Sequence, residues 1–396
     1  MRIETVSARS IPDTRGRPTI ETTLAAGSLL ATASVPSGKS TGSHEALELR
    51  DADGGVTSAV ANVQGEIAAA LTAREFASAD EVDAFLIELD GTRNKSRLGA
   101  NALLSVSIAA QRLFAQAEGV PLWKAIAERA GTAPKAPRLY VNVMNGGVHA
   151  NFRLPFQEYI LVVEGAPSEA LAVARHAFAR LGEQLGDVPM GDEGGYAPTF
   201  ATLEQPFELL AKLVKEFTGT SIAIDAAASE LFKDGTYQLL GKSYSAEELS
   251  NVYQDLAVHF PLHSIEDPFD EEAGDDFTRL TNVLGGGVLI VGDDLTVTNP
   301  ARVADAAAHK EINAVLIKPN QIGTVREAIL AVQATYAAGW AAIASHRSGE
   351  TDDTFIADFA YGMGAHGIKA GGLGQKERLE KYERLLAIER EAETEN

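Results

Sequence analysis

The chain has 396 residues, with 55 acidic against 34 basic side chains, a formal net charge of −21, 45% hydrophobic content and no cysteine. This is the balance of a folded globular protein. The acidic surplus without a long basic run argues against nucleic-acid partners, and the lack of thiols excludes disulfides, thiolate catalysis and Cys-type zinc sites.

MRIETVSARS at the start lacks the apolar run of a secretory signal. The most apolar long segment, 329–345, is interrupted by Gln333 and Gly339 and is too short for a bilayer span. No membrane association and a cytoplasmic location are therefore expected. Strand patterns occupy RIETVSARSI, PTIETTL and SLLATASV, separated by the turn-prone DTRGRP and AAGS. Next comes VPSGKSTGSHEALELRD, residues 35–51, with the letters of a nucleotide-binding loop. Ala33 stands where such a loop needs its first glycine, and Pro36 removes one of the N–H donors of the cradle, so the nucleotide reading fails. The remaining readings are a closing lid or a plain surface connection.

From Val56 to about Ala130 the apolar period becomes helical, as in ALLSVSIAAQRLFAQA. Strands followed by helices predict a compact α+β domain over 1–131, and GTAPKAPR reads as a linker. Beyond it, over 132–396, apolar runs end again and again in one polar residue: Asp225, Glu266, Asp293, Lys318, His346 and Lys369, at spacings of 41, 27, 25, 28 and 23. Each gap has room for a helix, and SAEE from Ser245 and Asn299 before Pro300 are helix-start signals. Repeated βα units at this interval predict a closed parallel barrel, with an open sheet as the alternative. In a barrel the six residues share the carboxyl rim, although any one of them taken alone is an ordinary solvated loop residue. Three carboxylates on neighbouring strands suit Mg²⁺, and at least one of the facing lysines is a candidate base.

The motifs VPSGKSTGSHEALELRD, LGANALLSVSIA, NGGVHANFRLPFQEYI, GDEGGYAP, SIEDPF, GDDLTVTNP, IKPNQIG and SHRSGETDDTFIADFA run through the chain. On them the sequence resembles the enolase family. The resemblance implies an α+β N-terminal capping domain followed by an enolase-type β/α (TIM-like) barrel that begins β-β-α-α, and a homodimer. It implies dehydration of a small phosphorylated anion, 2-phosphoglycerate, to phosphoenolpyruvate through an enediolate, with two Mg²⁺ per site, the second arriving with substrate. Asp225, Glu266 and Asp293 match the ligands of the first Mg²⁺, and Ser40 of the lid matches a residue that helps hold the second. Lys318 matches the general base, Glu193 supported by Glu158 the acid, and Lys369 a stabiliser of the enediolate. Arg347 and Ser348 match the phosphate clamp, and His149, Gln157 and His346 further active-site positions. Cations near Lys318 are expected to lower its pKa.

Some positions depart from the family pattern. Lys39 stands where the lid carries a small residue, Thr14 and Arg17 replace Ser and Asn, Pro319 follows the base, and KAGGLGQKER loses a threonine at Ala370 and an arginine at Gln375. If Lys39, Arg17 and Arg153 lie near the mouth they could accept another anionic group. That motivates an alternative, a paralogue with altered substrate such as carboxyphosphonoenolpyruvate synthase in phosphonate biosynthesis. A third reading, a catalytically silent binding protein, requires loss of a metal ligand or of the base, and the sequence retains all of them.

Overall fold

The computed structural model describes residues 1–395. Strands β1 (Thr5–Pro12), β2 (Pro18–Ala26) and β3 (Leu29–Ser34) form an antiparallel meander. Ile20, Thr22, Leu24 and Ala26 alternate inward along β2, as a sheet covered on one face requires. The helices α1 (Thr57–Asn62), α2 (Ala68–Thr72), α3 (Ala79–Asp90), α4 (Ala100–Glu118) and α5 (Leu122–Ala130) follow, with a π-helical turn over 63–67 joining the first two. Helix α4 lies against β2 and β3 and is buried nearly throughout. Its alanines and serines allow close approach, and the Ser105 and Thr22 hydroxyls meet at 2.6 Å.

The second region contains β4 (Arg138–Asn145), β5 (Glu158–Val163), α6 (Pro167–Leu185), α7 (Gln205–Glu216) and β6 (Thr220–Asp225). A small antiparallel sheet of β7 (Phe232–Lys233), β8 (Thr236–Leu239) and β9 (Lys242–Tyr244) precedes α8 (Ala246–His259). Strand and helix then alternate: β10 (Leu262–Glu266), α9 (Gly274–Leu284), β11 (Leu289–Gly292), α10 (Pro300–His309), β12 (Ala314–Ile317), α11 (Val325–Ala337), β13 (Ala341–Ser345), α12 (Phe355–Gly362), β14 (Gly367–Gly371) and α13 (Lys376–Glu395). Ser245 and Glu248 close the expected capping box, and Asn299 caps α10 ahead of Pro300.

Eight strands close a barrel, β4 through β6 and then β10 through β14 back to β4, so the open-sheet alternative does not apply. Only β5 runs antiparallel to its neighbours. That reversal sets Glu158, the first residue of β5, beside Asn145 and Asp225 at the rim where the other strands end. The interior is filled by Tyr140, Ile160, Val162, Ala223, Val291, Ala314, Leu316 and Ile343, a packed core and not a pore. Helix α4 ties the two regions together, its Ser107 hydroxyl accepting from the backbone N–H of Val325 at the start of α11 (2.9 Å).

At the opposite rim, His263 Nε2 and His366 Nε2 are 3.1 Å apart with their rings stacked. Arg138 Nη1 lies 3.3 Å from His366 Nδ1, and Arg138 Nε donates to Glu164. Burial, then the Arg138 charge, pushes His366 down to about 4 and lowers His263, with Glu164 opposing weakly. His366 thus stays neutral in the folded chain down to about pH 4 and His263 is shifted the same way, while an unfolded histidine takes a proton near pH 6.5. Stability is therefore intact above pH 6.5 and is lost as pH falls toward about 4, because the unfolded chain binds protons that the folded chain refuses. After discounting for partial exposure, His366 accounts for a loss on the order of 1–2 kcal/mol across that window. Comparing urea midpoints of wild type and His366→Gln at pH 7.5, 6 and 5 should show a shallower decline in the variant. Parallel declines would remove the pair as the cause.

Candidate active site

Strand ends and the loops after them carry the chemistry. Asp225 and Glu266 end β6 and β10, Asp293, Lys318 and His346 directly follow β11, β12 and β13, and Lys369 sits within β14. These residues meet in one polar cavity. Ser40, His149, Gln157, Glu158, Glu193, Asp225, Asp293, Lys318, His346, Arg347, Ser348 and Lys369 all line it, and Glu266 is joined to it through a hydrogen bond from Lys369.

Lys369 is the hub. Its ammonium lies 3.1 Å from Glu158, 3.0 Å from Asp225 and 2.7 Å from Glu266, with all four residues buried. Burial alone would lower this lysine, but Asp225, Glu158 and Glu266 outweigh it and hold it well above its ordinary value. Glu266 is pushed up by burial and by the Asp225 charge. Glu158 is raised by burial and then by Glu193. Lys318 Nζ contacts Asp293 Oδ2 closely. Burial opposes both charges, yet each partner stabilises the other, so Asp293 is lowered and Lys318 raised. For Lys318 this is opposite to the direction expected from the sequence. With Asp293 against it, the lysine is held as an ammonium.

Glu193 faces His149 Nδ1 at 3.5 Å and His346 Nε2 at 3.9 Å, and accepts from Asn142 Nδ2 at 3.1 Å. Burial would raise this carboxyl, and His149 and His346 more than offset it, leaving Glu193 low while Glu158 is high. Burial pushes His346 well below its ordinary value, with the Glu193 charge opposing. The Arg378 guanidinium contacts His346 Nδ1 and donates to the carbonyls of Arg347 (3.2 Å) and Ser348 (2.8 Å). It enters this space because Gly371 has no side chain: a Cβ there would lie 2.3 Å from Arg378 Cδ. Nothing in KERLEKYER marks Arg378 as buried, and sequence reasoning does not single it out, nor does it single out Asn142. Gln375, at a departing position, accepts from Arg378 Nε (2.7 Å) and donates to the Asp192 carbonyl (3.1 Å).

The segment from 37 to 46 lies closed across the cavity mouth. Arg347 forks onto both carboxylate oxygens of Glu45 (3.0 Å each) and donates to the Ser40 carbonyl (3.0 Å). A Cβ on Gly38 would fall 2.0 Å from Arg347 Nη2 and 2.8 Å from the Ser40 carbonyl oxygen, so any other residue there has to displace the fork. Lys39 turns away from the cavity onto Asp192 Oδ2 (2.6 Å) and the Val148 carbonyl (2.8 Å). Arg153 donates to the Ala197 carbonyl and Arg17 is exposed on its hairpin turn. None of the three cations lines the cavity, so they offer it no second anion site.

The donor set fits a divalent cation. Glu158, Glu193, Asp225, Glu266 and Asp293 are buried around Lys318 and Lys369, while the Arg347 charge is taken by Glu45. Gln157 donates to Asp225 through Nε2, and its Oε1 is buried without a partner. An oxygen-rich pocket short of positive charge suits a hard ion. The closest groupings of possible ligand atoms among the described residues are His149 with Glu158 and Glu193, and Asp267 with Asp293 and Asp294. The trio Asp225, Glu266 and Asp293 is instead bridged by Lys369 and Lys318. No described helix is long and apolar enough to cross a membrane.

Two family models match the chain: the enolase N-terminal domain over residues 3–126 and the enolase C-terminal TIM barrel domain over 135–396. The chain is 42% identical over 409 residues to a protein named enolase from Methanopyrus kandleri, covering 98% of this chain and 95% of that one. It is 41% identical over 424 residues to enolase B of Dictyostelium discoideum, covering 99% and 96%.

The Lys39–Asp192 pair is 39% and 36% exposed, so it contributes within about 1 kcal/mol to global stability. Its effect should instead be local. In Lys39→Ala the unfolding midpoint is expected to hold, while subtilisin nicks residues 37–44 several times faster. Equal nicking rates in variant and wild type would show that the pair does not fasten the lid.

Proposed function

The chain belongs to the enolase family, and from that premise we propose that it dehydrates 2-phosphoglycerate to phosphoenolpyruvate with Mg²⁺. The observation that carries this reading is the convergence of Lys318, Lys369 and the rim carboxylates in one buried polar cavity beneath a lid. Asp225, Glu266 and Asp293 would hold the first Mg²⁺, and Ser40 would help hold a second that arrives with substrate. When bound, such ions neutralise the charge that grows on the substrate carboxylate as its α-proton leaves.

The residues divide the remaining work. Lys318 takes the α-proton, which requires its free amine. Its contact with Asp293 favours the ammonium, so the amine would become available if Asp293 were drawn off to hold the cation. Lys369 adds a fixed positive charge beside the substrate carboxylate. On the other side the Glu193–Glu158 pair supplies the proton for the departing hydroxide: Glu193 is held low and Glu158 high, so the proton resides on Glu158 and passes by way of Glu193 as the carbon–oxygen bond breaks and water leaves. His149 and His346 hold Glu193 from two directions. Gln157 orients Asp225, and Arg347 with Ser348 grips the phosphate through the guanidinium fork. A phosphate at Arg347 has to replace Glu45, which holds that fork here.

A homodimer in the cytoplasm completes the proposal. The altered-substrate alternative rested on Lys39, Arg17 and Arg153, and with those side chains directed elsewhere no observation favours it.

Lys318→Ala separates chemistry from metal binding. With 2-phosphoglycerate and Mg²⁺ in D₂O, α-proton exchange in the variant is expected to fall by about 10²–10⁴-fold, the range attributed to a positioned base. Mg²⁺ binding by calorimetry should persist, because Asp225, Glu266 and Asp293 are retained. Exchange at the wild-type rate would assign the proton to another residue. Wild-type protein that forms no phosphoenolpyruvate, followed by its ultraviolet absorbance, would overturn the reaction itself.

A further inference from the structure

Thr298 and Gln321 are fully buried beside Lys318 and Asp293 and belong to none of the roles above. The Thr298 hydroxyl accepts from the backbone N–H of Lys318 (2.8 Å) and donates to Gln321 Oε1 (2.7 Å). The Gln321 amide N–H₂ then donates to Asp293 Oδ1 (2.9 Å) and reaches Glu45 Oε1 of the lid at 3.4 Å. Two carboxylates on one side and a hydroxyl donor on the other fix which end of the amide is nitrogen. The Gln321 backbone carbonyl also accepts from the backbone N–H of Ala46 (2.7 Å). One glutamine therefore touches the lid, the candidate metal ligand and, through Thr298, the backbone of the candidate base.

The turn that delivers Thr298 is strained. Val297 and Thr298 have φ of 44° and 56°, a left-handed conformation disfavoured for β-branched residues, and both are buried. Backbone strain of this kind persists only where the surroundings impose it, and it gathers at functional sites. The lid presses on the same turn: a Cβ on Gly42 would lie 2.9 Å from Val297 Cγ1 and 2.8 Å from Asp294 Oδ1.

We propose that Thr298 and Gln321 are positioning residues that couple closure of the lid to the alignment of Lys318 and Asp293. When the lid seats, Ala46 and Glu45 engage Gln321, whose amide is thereby held on Asp293 and on the Thr298 hydroxyl that pins the Lys318 backbone. An open lid releases two of the contacts that fix Gln321, and the base and the ligand loosen together. The assignment of Lys318 as base rests on the reaction proposed above, whereas the coupling between segments does not.

Hydrogen–deuterium exchange on the full-length protein without substrate tests the coupling directly. Thr298→Val keeps the shape and removes both hydrogen bonds, Thr298→Ser keeps the hydroxyl, and Gln321→Met breaks the relay at its other member. Exchange in residues 316–323 and in lid residues 37–46 should quicken together in Thr298→Val and Gln321→Met, and stay near wild type in Thr298→Ser. An unchanged lid in both disrupting variants, or a serine variant as loose as the valine variant, overturns the relay. With 2-phosphoglycerate, Thr298→Val is expected to lower kcat and α-proton exchange together by about 10–100-fold, as a misplaced base would, with KM nearly constant and serine restoring the rate. A normal kcat in Thr298→Val overturns the positioning role. A wild-type protein inactive on this substrate sinks the proposed reaction, while the deuterium-exchange result still decides for or against the relay.

Discussion

The buried ammonium of Lys369, held 2.7–3.1 Å from three carboxylates, is the constraint on which the rim is built. A charge so far from water is tolerable only while its partners stay, and removing one partner of such a cluster costs about 3–5 kcal/mol. The partners come from three different strands, β5, β6 and β10, so the cluster exists only when the barrel is closed. Closure in turn rests on a filled interior of small and branched side chains. The fold and the site are in this sense one problem: the apolar core gathers the strand ends, and the strand ends confine charges that repel one another unless cations join them.

Much of this was legible in the sequence because parallel strands repeat. A polar residue at the end of each apolar run, at an interval that admits one helix, places every such residue at the same rim, and Asp225, Glu266, Asp293, Lys318, His346 and Lys369 are found there. Periodicity did not give Glu158 its place. That residue begins its strand, and it reaches the rim only because β5 runs backwards, a fact that came from the family resemblance and not from spacing.

Other features escaped for identifiable physical reasons. Arg378 sits in a charged helical run that looks solvated, and its burial depends on the missing side chain of Gly371 at the end of β14. Thr298 and Val297 adopt a conformation that their side chains disfavour, so local propensity points away from the turn they form. Charge alone did not say where Lys39 points: its ammonium is turned to Asp192 and a carbonyl. Direction also decided Lys318, whose pKa follows the anion it touches before it follows any cation expected nearby.

The lid adds negative charge to a site already rich in it, and the way Glu45 is held explains how this is tolerated. Arg347 takes both Glu45 oxygens, but Glu45 is also approached by the Gly42 backbone N–H (3.2 Å) and by Gln321 (3.4 Å). A phosphate competing for the guanidinium removes the strongest of these contacts and leaves Glu45 with neutral donors. The lid keeps further anchors that a phosphate does not contest: Ser37 pairs with Gly349 through two backbone hydrogen bonds, and Ala46 bonds to Gln321. Arg347 can therefore change partners while the covering segment stays seated, so that anion recognition and exclusion of water are served by separate sets of contacts.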